Sequence, residues 1–146
     1  MRRFVYLAVA VSVALLAGMI GCRTPAPVYQ PTASLSIEEA KQVIARSLEE
    51  QARGFAAGDI RVTDEKLSFA RDRSSFLGIG GNTVLTTFYF DSLGKMSVTL
   101  KSKGHVVRVW DSGDAVRFLV VIPSEDRARR FMDAMLVMSR NVEGEH

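Results

Sequence analysis

The sequence predicts an α+β fold in which a helix precedes a set of antiparallel strands and a second helix follows them. Between residues 37 and 55, apolar side chains recur at steps of three, four and seven, the spacing of a helix that buries one face. Between residues 60 and 122 they mostly alternate with polar side chains, which is the pattern of half-buried strands. The helical spacing then returns between residues 128 and 138.

The first helix is expected to run from about residue 36 to residue 53. Ser36 and Glu39 match a capping box, in which each side chain satisfies a backbone amide of the other residue. Gly54 lies where the helix should stop. The apolar stripe of this helix consists of Ile37, Ala40, Ile44, Leu48 and Phe55.

About six strands are expected after this helix. The first two carry Ile60 with Val62 and Leu67 with Phe69, and Asp64-Glu65 marks the turn between them. Four more strands are expected at residues 84–90, 95–101, 106–110 and 116–122, and turn residues follow the first three at 91–94, 102–104 and 111–114. Because parallel pairing would need long crossover connections, we expect these four strands to form an antiparallel meander.

The second helix is expected to begin after Pro123-Ser124, which stops the last strand and offers an N-cap. We interpret its apolar stripe as the face that packs on the sheet. The stripe consists of Ala128, Phe131, Met132, Met135 and Met138. With 146 residues the chain has the size of one domain, which we place at residues 36–140, and residues 141–146 are expected to fray.

An antiparallel meander that ends in one amphipathic helix resembles the pleckstrin-homology-like superfold. The resemblance is carried by residues 88–93, the strands at 95–101 and 106–110, and the run 118–138. It implies a small barrel whose open end is plugged by the last helix. The chain departs from that superfold because it opens with a helix and has about six strands rather than seven. The alternative is an open antiparallel sheet with both helices on one face.

Lipid-binding members of that superfold use a lysine, a spacer and an Arg-x-Arg motif near the first hairpin. Lys66 followed by Arg71-Asp72-Arg73 is loosely similar to this motif. The acidic residues Asp64 and Glu65 dilute the positive charge. We therefore interpret these residues as part of a solvated hairpin.

Residues 1–21 have the layout of an export signal, because two arginines precede an apolar run at residues 4–20. The run ends at Met19-Ile20-Gly21-Cys22, which contains the only cysteine of the chain. This arrangement resembles a bacterial lipoprotein signal with its lipobox. The resemblance implies that signal peptidase II cuts between Gly21 and Cys22 and that Cys22 carries the lipid.

The lipoprotein resemblance also implies a location. Arg23, rather than an aspartate, follows the cysteine. By the sorting rule of enterobacterial lipoproteins, this implies anchoring in the outer membrane, facing the periplasm. Residues 22–35 then form a proline-rich, extended tether that begins with the lipidated cysteine. The alternative is an uncleaved membrane anchor with an incidental cysteine.

Composition excludes several classes of protein. A hydrophobic fraction of 47% excludes a disordered polyelectrolyte, and one cysteine excludes a disulfide framework. Without the two leader arginines, 17 basic and 16 acidic residues remain, so the basic excess that nucleic acid binding needs is absent. His105 and His146 have no metal ligands at zinc spacing, and we expect no metal and no cofactor.

The sequence indicates no catalytic residue. No Gly-x-Ser-x-Gly elbow presents a serine to either histidine, and the glycine-rich residues 78–82 lack the lysine of a P-loop. We therefore expect a non-enzymatic module that binds an envelope protein or another envelope component. The candidate contact surfaces are a loop with Phe76, Leu77 and Ile79 and a basic strand face with Lys95, Lys101 and Lys103. The alternatives are a carrier of a lipid or small ligand in the barrel interior, and a hydrolase that uses His105 as its base.

Overall fold

The computed structural model describes Tyr29 and residues 34–51, 57–73 and 82–144. Two helices and six strands follow one another along these residues, and the α+β class is confirmed. They are helix α1 (Ile37–Glu49), strands β1 (Ala57–Val62), β2 (Lys66–Arg73), β3 (Asn82–Tyr89), β4 (Leu93–Lys101), β5 (Gly104–Asp111) and β6 (Val116–Ile122), and helix α2 (Glu125–Gly144). A short 3-10 turn, Phe90–Ser92, separates β3 from β4.

The strands form two three-stranded antiparallel sheets rather than one. Sheet A contains β1, β2 and β3 in that order, and sheet B contains β4, β5 and β6. The consecutive strands β3 and β4 are not hydrogen-bonded neighbours. The prediction of a single meander is therefore wrong, and within the described residues the strands make neither a closed barrel nor one open sheet.

The 3-10 turn explains why the meander breaks. The amide of Phe90 donates to the carbonyl of Glu65, in the turn between β1 and β2, over 2.9 Å. At the other end, the carbonyl of Ser92 accepts from the amide of Ser112, just after β5, over 2.8 Å. Residues 90–92 are thus bonded to both sheets. The predicted turn is present, but it passes the chain from one sheet to the other instead of folding it back.

Three phenylalanine rings pack where the two sheets meet. The ring of Phe118 in β6 lies 5.5 Å from that of Phe69 in β2 and 5.4 Å from that of Phe88 in β3. Both pairs are edge to face, an arrangement that aromatic quadrupoles favour. None of the three side chains exposes more than 6% of its surface. Aromatic side chains therefore occupy the space between the sheets.

The helices bury most of the stripes that the sequence indicates. In α1, Ala40, Ile44 and Leu48 are fully buried, Ile37 is partly buried against the core, and the capping box of Ser36 and Glu39 is present. Phe55, the last residue of the predicted stripe, lies outside the described residues. In α2, the buried stripe contains Ala128, Phe131, Met132, Met135 and Met138. The two helices contact one another, α1 also contacts β1 and β6, and α2 contacts the 3-10 turn and sheet B. In the part of the chain that the structure describes, no helix is both long and apolar enough to cross a bilayer.

The ends of both helices differ from the predicted ones. Helix α1 ends at Glu49, four residues before the expected end, and its carboxyl end is followed by the buried Gln51. Helix α2 continues to Gly144 instead of ending near residue 140. The reason for this extension is that Val142 packs against the core.

Tyr29 lies within the predicted tether and contacts α2. Its hydroxyl donates to Oδ1 of Asp133 over 2.9 Å, and the carbonyl oxygen of Arg129 lies 3.1 Å from the same hydroxyl. Asp133 exposes only 1% of its surface, so a side chain of the tether covers a buried carboxylate. The tether is therefore fastened to the domain at Tyr29.

Strand β4 buries less of its apolar row than the alternation predicts. Met96 packs against the core, but Val98 and Leu100 are 39% and 70% exposed. The strand lies at the edge of sheet B and pairs only with β5. Alternation along a strand thus indicates which side chains share a face, but not how far that face is covered.

Candidate functional site

A groove of about 380 Å³ opens where β6 meets β2 and β3. This volume lies at the lower end of the range of about 300–1,000 Å³ that is typical of small-molecule sites. We call it the seam groove, because it lies between an edge strand of sheet B and two strands of sheet A. It is lined by Arg71, Val84, Thr86, Val116, Phe118 and Leu119, together with Arg117.

Arg71 is a cation in an otherwise apolar row. Along β2, Leu67, Phe69 and Arg71 share one face because alternate residues of a strand point the same way. The first two are fully buried, and Arg71 is half-buried. Its guanidinium carbon lies 5.4 Å from the centroid of the Phe69 ring, within the range of a cation–π contact. The row therefore places a positive charge at the margin of the core, on the wall of the seam groove.

The hydrogen bonds of Arg71 cap the free edge of β6. Its Nη2 donates to the carbonyl of Leu119 over 3.2 Å and to Oε1 of Gln51 over 3.4 Å. The same Gln51 oxygen accepts from the amide of Val121 over 3.3 Å, and its Nε2 donates to the carbonyl of Leu48 over 3.2 Å. Gln51 is only 7% exposed. The carbonyl of Leu119 and the amide of Val121 on the edge of β6 are thus bonded to the side chains of Arg71 and Gln51, respectively.

The charge of Arg71 has no counter-ion within the described residues. No carboxylate there forms an ion pair with it, and its Nε is buried without a hydrogen-bond partner. Burial lowers the pKa of the guanidinium, but an arginine remains charged in proteins. Removing a charge from water has a cost that an oppositely charged partner offsets. Among the described residues, no carboxylate is that partner for the half-buried guanidinium of Arg71.

The second cation of the groove is already neutralised. Nε of Arg117 lies 2.6 Å from Oδ2 of Asp111. The other oxygen of Asp111 accepts from the amides of Ala115 and Gly113 over 2.9 and 3.0 Å. Chiefly the bond from Ala115, and then the contact with Arg117, lower the pKa of the Asp111 carboxyl. Arg71 is thus the cation of the groove that is left for a ligand.

A second groove, of about 440 Å³, runs between α1 and α2 and is lined by charges of both signs, three arginines and two glutamates. Arg127 pairs with Glu50 across it. Arg130, also in its lining, acts electrostatically on Glu39, whose pKa is lowered mainly by its bonds with Ser36. This groove therefore has a polar, mixed-charge lining, unlike the mostly apolar lining of the seam groove.

The three lysines of the predicted basic face do not lie together. Lys95 and Lys101 stand at opposite ends of β4, six residues or about 20 Å apart. Nζ of Lys95 lies 2.5 Å from Oδ1 of Asp114 and 5.6 Å from the centre of the Trp110 ring. Lys101 is the last residue of β4, and Lys103 lies in the turn between β4 and β5. The strand therefore presents one compensated lysine and a separate basic hairpin tip.

Several predicted residues lie outside the described part of the chain. These are Gly21 and Cys22 of the lipobox and Phe76, Leu77 and Ile79 of the contact loop. His105 is described and is the second residue of β5, opposite Leu100 of β4 and Ile122 of β6. Within the described ranges, no group of three or more histidine, cysteine, aspartate or glutamate side chains is placed to hold a metal ion.

Comparisons of the chain with protein-family models, with curated proteins and with solved structures found no match. Within the described residues, the seam groove is the site that combines an apolar lining with an uncompensated charge.

The sequence offered one usable signal for this site. The alternation through Leu67 and Phe69 puts Arg71 on the inward face, which contradicts its interpretation as part of a solvated hairpin. Gln51 and β6 could not be linked to it in advance. They lie 20 and 48 residues from Arg71 along the chain, and no local pattern encodes such contacts.

Proposed function

We propose that the protein is a lipid-anchored, non-enzymatic binding module of the bacterial cell envelope, and that the seam groove is its binding site. The observation that carries the binding function is the half-buried guanidinium of Arg71, which has no counter-ion within the described residues. The anchor is supported by the resemblance of Met19–Cys22 to a lipobox, and Arg23 favours the outer membrane. The relation to the pleckstrin-homology-like superfold is proposed only for the final strands and the helix after them.

A carrier function is the second candidate, and it would use the same groove. The rings of Phe69, Phe88 and Phe118 fill the region between the sheets where a barrel interior was expected. A carried molecule would therefore have to lie in the seam groove, which is open to solvent. A module that holds its ligand in place and a carrier that releases it differ in the lifetime of the complex.

The anchor is tested by inhibiting signal peptidase II in cells that make the full chain. The lipid-anchored form should give way to a slower-migrating precursor, and Cys22→Ala should abolish labelling by a radioactive fatty acid. Unchanged migration under the inhibitor, or a Cys22→Ala variant that is still labelled, would overturn the anchor.

The binding function is tested by placing a photo-crosslinking amino acid at Val116, which is 51% exposed at the groove. The same amino acid at Ser102, in the β4–β5 turn, is the matched control. Irradiation of intact cells should give an adduct from position 116 and none from position 102, as detected by gel mobility and intact mass. Equal adducts from both positions, or none from position 116, would contradict the assignment of the groove.

A further inference from the structure

The unmet donor of Arg71 and the apolar lining around it together define a class of ligand. Both of the hydrogen bonds that the guanidinium makes to the described residues use Nη2. Nε is buried without an acceptor, so Nη1, which bonds to none of the described residues, is the donor left for a ligand in the groove. A carboxylate is planar and accepts two hydrogen bonds, so it matches the fork that an arginine presents. The cation of a groove of this kind therefore selects a carboxylate over a neutral polar group.

The remaining lining selects what the carboxylate is attached to. Val84 and Val116 are 43% and 51% exposed, although both are apolar residues of a groove wall. Phe118, which is 6% exposed, forms the floor of this apolar lining. A ligand with an apolar part next to its charge would remove this surface from water, which favours binding.

The edge of β6 argues against a peptide that adds as a further strand. Such a peptide would need the carbonyl of Leu119 and the amide of Val121 as partners. Both groups are already bonded, the first by Arg71 and the second by Gln51. The groove is also small for the extended contact that a strand makes. A compact molecule fits these constraints and a strand does not.

We propose that the seam groove binds a small apolar carboxylate, with the carboxylate paired to the Arg71 guanidinium and the apolar part lying over Val116 and Phe118. This inference rests on the proposed binding function and names the ligand class of that same site. It makes Arg71 the residue that determines specificity for charge. In the same proposal, Val116 and Phe118 determine specificity for the apolar part of the ligand.

The test is a titration of the full chain, labelled with ¹⁵N and held in lipid nanodiscs, with 4-phenylbutanoate and with octanoate. The Nε–H signal of Arg71, assigned by its absence in Arg71→Lys, should shift saturably with both probes. Acetate lacks the apolar part and 4-phenylbutanamide lacks the charge, so each should bind at least tenfold more weakly. A shift with the amide equal to that with the acid, or no saturable shift with either acid, would overturn the proposal.

Variants separate recognition from folding. With the backbone amide of Leu119 as the reporter, Arg71→Lys should weaken 4-phenylbutanoate binding at least tenfold, because a lysine keeps the charge but loses the fork. Val116→Glu, at a half-exposed position, should abolish binding by repelling the carboxylate while the thermal midpoint stays within a few degrees. Arg61→Lys makes the same change at an exposed position of β1 and should leave the affinity within twofold. Unchanged affinity in both groove variants would overturn the proposal.

One further arm distinguishes the source of the carboxylate. A short peptide that ends in a phenylalanine carboxylate has the same chemistry as the probes, and it represents the carboxyl terminus of a partner protein. Binding of this peptide without binding of either small acid would overturn the proposal, while the crosslink at position 116 in cells would still support a binding module. Binding of the small acids without a crosslink in cells would support the ligand class and contradict the cellular function.

Discussion

Replacing Phe118 with alanine tests whether the two sheets depend on one ring for their packing. Phe118 belongs to sheet B, and it contacts Phe69 and Phe88 of sheet A edge to face. Its side chain is 6% exposed. Phe118→Ala removes both ring pairs and leaves a cavity between the sheets, whereas Phe118→Leu retains much of the volume and removes only the aromatic contacts.

The magnitude follows from these contacts. A buried phenylalanine replaced by alanine costs about 3–5 kcal/mol of the free energy of unfolding. Each edge-to-face pair accounts for about 0.5–1.5 kcal/mol beyond the buried area, so the two pairs place Phe118→Ala in the upper part of that range, at about 4 kcal/mol. For Phe118→Leu the lost pairs alone predict a decrease of about 1–2 kcal/mol.

Urea unfolding of the full chain, followed by the fluorescence of its one tryptophan, measures both variants. With a slope of about 1.5 kcal/mol per molar urea, the midpoint should fall by about 2.5 M for Phe118→Ala and by about 1 M for Phe118→Leu. Leu85→Ala, at a position of β3 that is 68% exposed, is the control and should change stability by less than about 0.5 kcal/mol. If Phe118→Ala shifted the midpoint no more than Leu85→Ala, the packing of the two sheets through this ring would be refuted.

Three further predictions concern local features. Ser36→Ala removes the cap that accepts from the amide of Glu39 and should lower the free energy of unfolding by about 1 kcal/mol in urea titrations, so an unchanged midpoint would contradict the capping box. Gly94→Ala should destabilise by about 1–3 kcal/mol or prevent folding, because the new Cβ would overlap the backbone carbonyl oxygen of Asp111. Gly58→Ala meets nothing within 4 Å and should leave the thermal midpoint unchanged, so equal midpoints for the two variants would contradict the close approach at Gly94. The hydrogen bonds that lower the pKa of Asp111 stabilise the fold above the carboxyl's unfolded pKa of about 3.9, and this stabilisation is lost as pH falls through the folded pKa. Asp111→Asn should therefore make the free energy of unfolding fall less steeply as the pH is lowered. An unchanged dependence of stability on acid pH would contradict this role of Asp111.

The regular elements could be predicted because each has a local period. The stripe of α1, the stripe of α2 and the alternation along β5 and β6 are all visible in the sequence. The division into two sheets could not be predicted from the sequence. The composition of Asp91-Ser92-Leu93-Gly94 suits a tight hairpin turn and also a connection that passes from one sheet to another. Which of the two forms depends on bonds to Glu65 and Ser112, which lie more than 15 residues away on either side.

Only part of the seam groove could be predicted from the sequence. Strand parity alone puts Arg71 beside Phe69 on the inner face, so one half of the site could be found from the sequence. The other half is an edge of β6 and the buried Gln51 after α1, and these meet Arg71 only when the two sheets and the helix are assembled. The lysines of β4 show a limit of strand parity. Lys95 and Lys101 share one face of the strand, but about 20 Å separates them, and parity alone does not show that distance.

With the lipid that we propose at Cys22, the bond between Tyr29 and Asp133 would set how far the domain can stand from the membrane. A tether measured from Cys22 to the start of α1 comprises residues 22–36 and would reach about 46 Å at about 3.1 Å per residue. Since Tyr29 is already fastened to α2, seven residues, 22–28, are left to span the gap, and their extended length is about 22 Å. One side-chain contact would thus halve the reach of the proposed anchor and hold the domain close to the lipid headgroups.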